Sequence, residues 1–261
     1  MTKEEITVKN PRRWHVGAIA LLLSLCHGCM HDAEPRWLVR ALPGAYPEIV
    51  YFVPTHAHAV ALTIDDGLDP ETTPAILDVL QAHGVHATFF LVSHSIPGNE
   101  ALVARILDEG HEIGNHMTQD EVTVKLSDEA LAAKFHEAAD VLDALGPVVW
   151  FRPGSARYDD RVLALTRAHG YRIALASVAP LDTVIHSPRT MAGFIAWMVE
   201  PGSIIVLHDV SDRGRRTAET LERLLPELTE RGYSVLTLSA LDALFDAGEV
   251  EEPPQSPAAG D

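Results

Sequence analysis

Between residues 60 and 238 of this 261-residue chain, short apolar runs alternate with longer amphipathic segments, and this alternation restricts the fold more than any other feature. Short apolar runs bounded by polar residues or glycine predict buried β-strands. There are seven such runs. The predicted strands are residues 60–64, 87–92, 112–116, 148–152, 172–176, 203–208 and 234–238.

The segments between these strands predict helices, because their apolar residues recur with helical spacing and several of them end in glycine. The predicted helices are residues 72–83, 101–109, 127–145, 160–169, 188–199 and 217–231. Strands that alternate with helices imply an α/β protein with a parallel sheet, either closed as a barrel or open and doubly wound. No repeat or second domain is apparent, and 47% apolar with 22% charged residues is typical of a globular protein.

Polar side chains follow each of the first six predicted strands. In chain order they are Asp65 with Asp66, His94, His116, Arg152, Asp182, and His208 with Asp209. Enzymes built on parallel barrels carry their reactive side chains at the carboxyl ends of the strands. The barrel interpretation therefore predicts that these side chains share one face of the molecule.

Asp65 and Asp66 are adjacent carboxylates at the end of an apolar run. Like charges at a buried strand end need a cation beside them, which a metal ion, an arginine or both would supply. The other interpretation is a solvated turn, because Asp-Gly is common in turns. Carboxylates, histidines and an arginine together favour hydrolysis by a metal-activated water, which needs metal ligands, a base and an acid.

These motifs resemble those of the polysaccharide deacetylases of carbohydrate esterase family 4. Residues 63–67, Thr-Ile-Asp-Asp-Gly, match the first motif, and residues 110–116 match the approach to the second. The resemblance covers residues 57–244 and implies a distorted seven-stranded β/α barrel in a single domain. It also implies that Asp65 is the catalytic base and that Asp66 and His116 are metal ligands.

The second motif departs from the family pattern at two positions. Asp120 stands where the family has its second metal-binding histidine, and Met117 replaces a hydroxyl residue. Residues four apart on a helical turn share a face, so Asp120 can still reach a metal held by Asp66 and His116. A carboxylate in place of an imidazole lowers the charge of the site by one and favours harder ions. Alternatively, Asp120 only caps a turn and the metal is weak or absent.

Residues 151–155, Phe-Arg-Pro-Gly-Ser, resemble the third motif. The resemblance implies that Arg152 pairs with Asp65 and holds it ionised. A lone arginine is more often part of a surface ion pair, but the apolar residues before this one argue against that. The main-chain N–H of Ser155 would be the oxyanion donor, by alignment alone.

Leu207 and His208 resemble the fifth motif, whose leucine lines the acetyl pocket and whose histidine is the general acid. The partner of that histidine is an aspartate of the fourth motif, for which Asp182 is the best match. The tryptophan usual in that motif is missing here. We therefore expect His208 and Asp182 to form a hydrogen-bonded pair.

The resemblance implies a metal-dependent hydrolase that removes acetyl groups from an N-acetylated polysaccharide or oligosaccharide, such as peptidoglycan or a chitin-like polymer. Zinc is the expected ion, with cobalt, nickel or manganese as substitutes. Two alternatives stay open. One is a sugar-binding pseudo-deacetylase that lost its activity with the histidine at position 120. The other is a glycoside hydrolase with paired carboxylates, which His208 and Arg152 disfavour.

Both ends of the chain differ from the region between them. Basic residues precede an apolar stretch at residues 16–25, which is too short to span a bilayer but suits a signal peptide. Proline, alanine and acidic residues at the other end predict disorder. The expected division is a signal peptide over 1–29, a lead-in over 30–55 with one extra strand at 49–53, the barrel over 56–246 and an acidic tail over 247–261.

Cys26 and Cys29 are the two cysteines of the chain, and both lie in the predicted signal peptide. Cys29 resembles the lipid-modified cysteine of bacterial lipoproteins, although Cys26 stands where leucine is usual, so a lipid anchor stays open. We expect an exported monomer of the periplasm or cell envelope that binds carbohydrate. The formal net charge of -17 disfavours nucleic acid as a partner.

Overall fold

The structure is a computed structural model that describes residues 48–180, 182 and 184–245. The predicted signal peptide, the predicted tail and most of the predicted lead-in lie outside the described residues. Within the described part, strands and helices alternate as the sequence predicts. The described strands are β1 Ile49–Val50, β2 Ala59–Asp66, β3 Thr88–Leu91, β4 Glu112–Asn115, β5 Trp150–Phe151, β6 Arg172–Ala174, β7 Ile204–His208 and β8 Ser234–Leu236.

The described α-helices are α1 Thr72–His83, α2 Glu100–Asp108, α3 Asp128–Asp143, α4 Asp160–His169, α5 Pro188–Met198, α6 Ser211–Glu230 and α7 Leu238–Asp242. α1 and α4 have the predicted bounds, because Gly84 and Gly170 adopt the left-handed conformation that ends a helix. None of the helices in the described part of the chain is both long enough and apolar enough to cross a membrane.

All strand pairs in the sheet are parallel, in the order β1-β6-β5-β4-β3-β2-β7. β2 carries two partners on its other side, β8 beside residues 59–61 and β7 beside residues 61–65. The chain after β6 approaches β7 through a parallel bridge between Val178 and Ile205. An antiparallel bridge between Phe52, after β1, and Ser203, before β7, connects the two ends of the sheet, and the result is a distorted barrel.

β2 pairs with three strands, and all eight of its residues are buried. Successive side chains of a strand point to opposite faces. Val60, Leu62 and Ile64 pack in the large cluster that includes the helices outside the sheet. Ala59 and Ala61 lie in the inner cluster with Phe90 and Trp150 of the neighbouring strands, and the interior positions that follow them are Thr63 and Asp65.

α7 closes the amino-terminal end of the barrel. Its Leu238 and Leu241 are fully buried in the inner cluster. The Leu238 N–H donates to Thr88 Oγ1 at the start of β3 over 2.8 Å, and the Trp150 indole at the start of β5 donates to Ser239 Oγ over 2.8 Å. The other end of the barrel, where the strands finish, is left for the candidate site.

The first turns of α6 are the largest difference from the sequence-based expectation. The helix begins at Ser211, whereas the prediction starts at residue 217. Residues 211–216 are polar and contain Gly214, so they carry no apolar periodicity. The Ser211 N–H donates to Asp69 Oδ2 over 3.0 Å, and this contact between distant residues fixes the start of the helix.

Candidate active site

Backbone strain is concentrated at the carboxyl ends of four strands. In the described part of the chain, the non-glycine residues with positive φ are Asp66, Leu68, Met117, Ser155, Ala156 and Ser211. They lie at or just after the ends of β2, β4, β5 and β7. Such conformations cost about 1–3 kcal/mol each and cluster at functional sites. The strain therefore marks the same face as the polar residues that follow the strands.

Asp65 and Arg152 form a buried ion pair at this face. Arg152 Nη1 lies 2.6 Å from Asp65 Oδ1, and both side chains are almost completely buried. The same Nη1 donates to Thr63 Oγ1 over 2.7 Å. Burial lowers the pKa of Arg152 from its ordinary value, and the charge of Asp65 opposes that effect.

Main-chain contacts hold the Arg152 guanidinium in the barrel interior. Nε donates to Ala174 O and Nη2 to Leu175 O, each over 3.1 Å, at the end of β6. The guanidinium also lies over the Phe90 ring, 4.0 Å from its centroid. An arginine bound from three sides has little freedom to leave Asp65, so the position of this carboxylate is fixed.

Asp66, His116 and Asp120 form a second cluster. Each offers one ligand atom, and the three atoms lie within 4.8 Å of one another. His116 Nε2 is 3.8 Å from Asp66 Oδ1 and 3.8 Å from Asp120 Oδ1. Asp66 and His116 are buried, whereas the Asp120 side chain is 53% exposed.

The details of this cluster fit a divalent metal ion. His116 Nδ1 lies 2.7 Å from the Arg152 carbonyl, which can only accept, so Nδ1 carries the proton and Nε2 keeps its lone pair for a ligand. Asp66 Oδ1 is buried without a hydrogen-bond partner. Burial raises the pKa of the Asp66 carboxyl, although His116 and His208 oppose this. Carboxylate oxygen and imidazole nitrogen are both zinc ligands, so these three side chains can hold a zinc ion.

Gly154 brings the loop of Asp120 close to the end of β5. A Cβ at residue 154 would lie 2.0 Å from the main-chain oxygen of Glu121 and 3.1 Å from Asp120 Oδ1. Only a glycine permits this approach without movement of the loop. The chain carries glycine at position 154, within the third motif, and a carboxylate at position 120. The structure brings these two residues close together.

His208 and Asp182 form a third pair, with His208 Nδ1 2.5 Å from Asp182 Oδ2. Asp182 is buried, while the His208 side chain is 25% exposed. Burial of the ring works against its charged form, but the hydrogen bond to Asp182 and the charges of Asp65 and Asp66 outweigh it and raise the pKa of His208. His208 pairs in register with Asp65 of β2, so the two side chains share the inner face.

The structure does not bring Leu207 to this face. Leu207 is fully buried in the cluster that contains the helices outside the sheet. Because side chains alternate along a strand, Val206 lies on the same face of β7 as His208. Ser155 is exposed, and it lies in the turn Gly154–Ala156 after β5 with φ of 56°.

Sequence reasoning missed Arg213. Its Nη2 lies 3.6 Å from Asp66 Oδ2, so it is the second arginine that approaches the acidic pair. Arg213 belongs to the polar first turn of α6, which the apolar periodicity did not assign to a helix. The available signal was three arginines within residues 213–216, shortly after His208, but this pattern does not show which of them turns toward the site.

Comparison with known proteins identifies the family. Residues 52–174 match the family model described as polysaccharide deacetylase. A peptidoglycan-N-acetylglucosamine deacetylase of Bacillus cereus is 31% identical over 196 residues, which cover 74% of this chain and 92% of that relative. The chain belongs to the polysaccharide deacetylase family, as the motifs predict.

Solved structures confirm the expected fold class. The Bc1960 peptidoglycan N-acetylglucosamine deacetylase, in complex with 4-naphthalen-1-yl-N-oxidanyl-benzamide, matches with a TM-score of 0.71 and 27% identity, over 82% of this chain and 97% of that one. BA3943 from Bacillus anthracis, a pseudoenzyme of carbohydrate esterase family 4, matches with a TM-score of 0.68 and 26% identity, over 75% and 69%. The same fold therefore occurs in a deacetylase and in a pseudoenzyme.

Proposed function

We propose that this protein is a metal-dependent hydrolase that removes acetyl groups from an N-acetylated polysaccharide or oligosaccharide, with peptidoglycan or a chitin-like polymer as the substrate class. The observation that carries this proposal is the meeting of three groups at one end of the barrel. They are the Asp65–Arg152 pair, the His208–Asp182 pair and the cluster of Asp66, His116 and Asp120. A named relative acts on peptidoglycan N-acetylglucosamine, which supports the substrate class.

Asp66, His116 and Asp120 would hold the ion, for which zinc is our first choice and cobalt, nickel or manganese are substitutes. The proton on His116 Nδ1 and the unpartnered Asp66 Oδ1 support this assignment. A divalent ion held there would supply Lewis-acid polarisation of the acetyl carbonyl and of the attacking water. The exposure of Asp120 leaves room for substrate on that side.

Asp65 is the proposed base, and it takes the proton of the attacking water. Its carboxylate can do so because Arg152 holds Oδ1 in place and compensates its charge inside the barrel. The hydrogen bonds of Arg152 to Thr63, Ala174 and Leu175 keep the guanidinium there throughout the reaction. Arg152 is therefore a positioning residue for the base.

His208 is the proposed acid, and its Nε2 protonates the amine that leaves when the amide bond breaks. Asp182 holds Nδ1 and favours the charged ring, which the raised pKa of His208 reflects. The N–H of Ser155 is the proposed donor to the oxyanion, since the left-handed turn after β5 presents main-chain groups at this end of the barrel. Val206, which shares the face of His208, is the side chain we assign to the wall of the acetyl pocket in place of Leu207.

Acetate release tests the proposal. Acetylated chito-oligomers and peptidoglycan fragments are incubated with the parent chain, Asp65→Asn and Asp120→Ala, with and without a chelator. We expect acetate from the parent only when metal is present, and a loss of roughly 10²–10⁴-fold in Asp65→Asn, the usual size for a lost general base. Acetate release that does not depend on metal would contradict the mechanism, and shortened polymer without acetate would indicate a glycosidase.

A non-catalytic sugar-binding protein is the second candidate, favoured by the exposed Asp120 in place of a histidine and by a pseudoenzyme of the same fold. It predicts oligosaccharide binding without acetate release. The Asp120→His variant separates the candidates. Higher metal affinity in this variant would place residue 120 among the ligands, and activity gained only in this variant would establish the pseudoenzyme.

We also propose that the protein is exported to the periplasm or cell envelope through a signal peptide over residues 1–29, with a lipid anchor on Cys29. The support is the basic and apolar pattern of these residues and a relative that is named for peptidoglycan. Cell fractionation of the parent and of Cys29→Ser tests it. An anchored parent is found with membranes and the variant in the soluble periplasmic fraction, whereas equal distribution would contradict the anchor.

A further inference from the structure

Arg213 stands at the mouth of the candidate metal site. Its Nη2 is 3.6 Å from Asp66 Oδ2, on the opposite side of that carboxylate from the oxygen that faces His116. The Arg213 side chain is 30% exposed, so the pair is neither fully desolvated nor freely solvated. At this distance the contact is electrostatic, without the directional hydrogen bond that would make it a simple structural link.

Close packing fixes where this arginine begins. A Cβ on Gly214, the next residue, would lie 2.3 Å from Thr72 Oγ1 and 2.8 Å from Asp209 Oδ1, so the first turn of α6 is pressed against the start of α1. Ser211 has a φ of 50°, and its N–H donates to Asp69 Oδ2. The backbone on both sides of Arg213 is therefore held in place. This fixes the point from which the Arg213 side chain extends toward Asp66.

The position of Arg213 matters because of the negative charge of the cluster. Asp66 and Asp120 together bring two negative charges to one imidazole, one more than a site with a single carboxylate. Arg213 brings one positive charge back beside Asp66, with its Nη2 3.6 Å from Asp66 Oδ2. A positive charge so close to a ligand carboxylate opposes the binding of a cation by that carboxylate.

We propose that Arg213 balances the charge of the candidate metal site. With this balance, a site with two carboxylates binds its ion no more tightly than a site with one carboxylate does. The ion also stays as electrophilic as it would be with one carboxylate. This inference rests on the proposed metal site but not on deacetylation. Arg213 acts through Asp66 and is a positioning residue. The proposal therefore predicts that removal of the Arg213 side chain strengthens metal binding, which is an unusual direction for the loss of a residue beside a metal site.

Zinc affinity of the full chain tests the proposal, measured by competition with a chromophoric chelator at constant pH and about 0.15 M salt. We expect Arg213→Gln to bind zinc roughly tenfold more tightly than the parent, from the Coulomb attraction of a divalent ion that is no longer opposed. Arg215→Gln is the matched control. Arg215→Gln removes the same charge from the same helix, but Arg215 pairs with Glu71 and Asp212. We expect the zinc affinity of this variant to stay within about twofold of that of the parent.

Arg213→Lys keeps the charge and should keep the zinc affinity of the parent, which shows that the effect is electrostatic. Thermal unfolding with chelator checks that all variants fold. Equal or weaker zinc binding by Arg213→Gln would overturn the proposal. So would a raised KM with unchanged zinc affinity, since that result identifies a substrate contact. If zinc binding responds as expected and no variant releases acetate, the charge balance stands and the proposed function fails.

Discussion

Gly154 controls the site at the scale of a single residue, although it has no side chain. The space of a Cβ at this position is taken by the Glu121 carbonyl, with Asp120 Oδ1 just beyond it. A main-chain oxygen cannot rotate away as the end of a flexible side chain can. The loop that carries Asp120 would have to move as a whole, and the Asp120 carboxylate would move with it.

Gly154→Ala should therefore weaken zinc binding about as much as Asp120→Ala does, and it should lower the free energy of unfolding by roughly 1–3 kcal/mol, the cost of overpacking. Gly146→Ala is the control, because no atom lies within 4 Å of the position of its added Cβ. Zinc competition and urea unfolding in chelator measure the two effects. Unchanged zinc affinity in Gly154→Ala would show that Asp120 is not held by this contact.

The pH dependence of activity reports the His208–Asp182 pair. His208 must be protonated to act as the acid, and its raised pKa keeps it protonated to higher pH. Asp182→Asn removes the negative charge and lowers the pKa of His208, so the alkaline limb of kcat/KM moves to lower pH. We expect the maximum of kcat/KM in Asp182→Asn to be lower than that of the parent by roughly 10²-fold, which is within the usual range for a compromised general acid. An alkaline limb that stays in place would contradict the role of His208.

Asp209 titrates near neutral pH. It is fully buried, and burial raises its pKa from 3.8 to about 6 although the Thr72 and Thr73 hydroxyls donate to it. A raised carboxyl pKa means that the folded protein prefers the protonated form. The contribution of Asp209 to the free energy of unfolding is fully present below about pH 4. It falls by about 3 kcal/mol as the pH rises through 6.

Asp209→Asn should remove this loss. We expect the difference in unfolding free energy between variant and parent to grow in favour of the variant by roughly 2–3 kcal/mol between pH 4 and pH 7. Urea unfolding of both chains over this range, in chelator, measures it. A difference that does not change with pH would mean that Asp209 keeps an ordinary pKa in the folded protein.

At the scale of elements, the sequence predicts those parts whose cause is local. Gly84 and Gly170 end α1 and α4 at the predicted residues, and the apolar runs locate β2 to β8. The start of α6 depends on Asp69, about 140 residues earlier in the chain, and no local pattern announces it. Arg213 was missed for the same reason. The motif assigns Leu207 to the acetyl pocket, but a motif gives only the order of residues and not the face of the strand on which each lies.

α7 is a second element without a strong local signal, since it spans only Leu238–Asp242. Its contribution comes from Leu238 and Leu241, which fill the amino-terminal end of the barrel. Leu241→Ala should lower the free energy of unfolding by about 2–5 kcal/mol, as other buried leucines do. Leu244→Ala, at a position 39% exposed, should change it by less than about 0.5 kcal/mol. Equal losses in the two variants would show that α7 does not close the barrel.

At the scale of the whole molecule, rigidity and chemistry are divided between the two ends of the barrel. One end is packed by α7, and the other carries the strained turns, the buried Asp65–Arg152 pair and the candidate ligands. The sequence could predict this division, because polar residues follow the strands. It could not give the distances within each group, since they depend on contacts such as that of Gly154 with Glu121.

The pairing of β2 also determines when the domain can form during synthesis. β2 is the first long strand within residues 48–245, but its neighbours β7 and β8 come more than a hundred residues later in the chain. The Thr63 hydroxyl, for example, donates to the Ile205 carbonyl across 142 residues. Contacts so distant in sequence form slowly. A chain that ends before β7 leaves one edge of β2 without its strand partners. Unpaired strand edges promote aggregation, so the risk for an incomplete chain ends only when β7 and β8 have paired with β2.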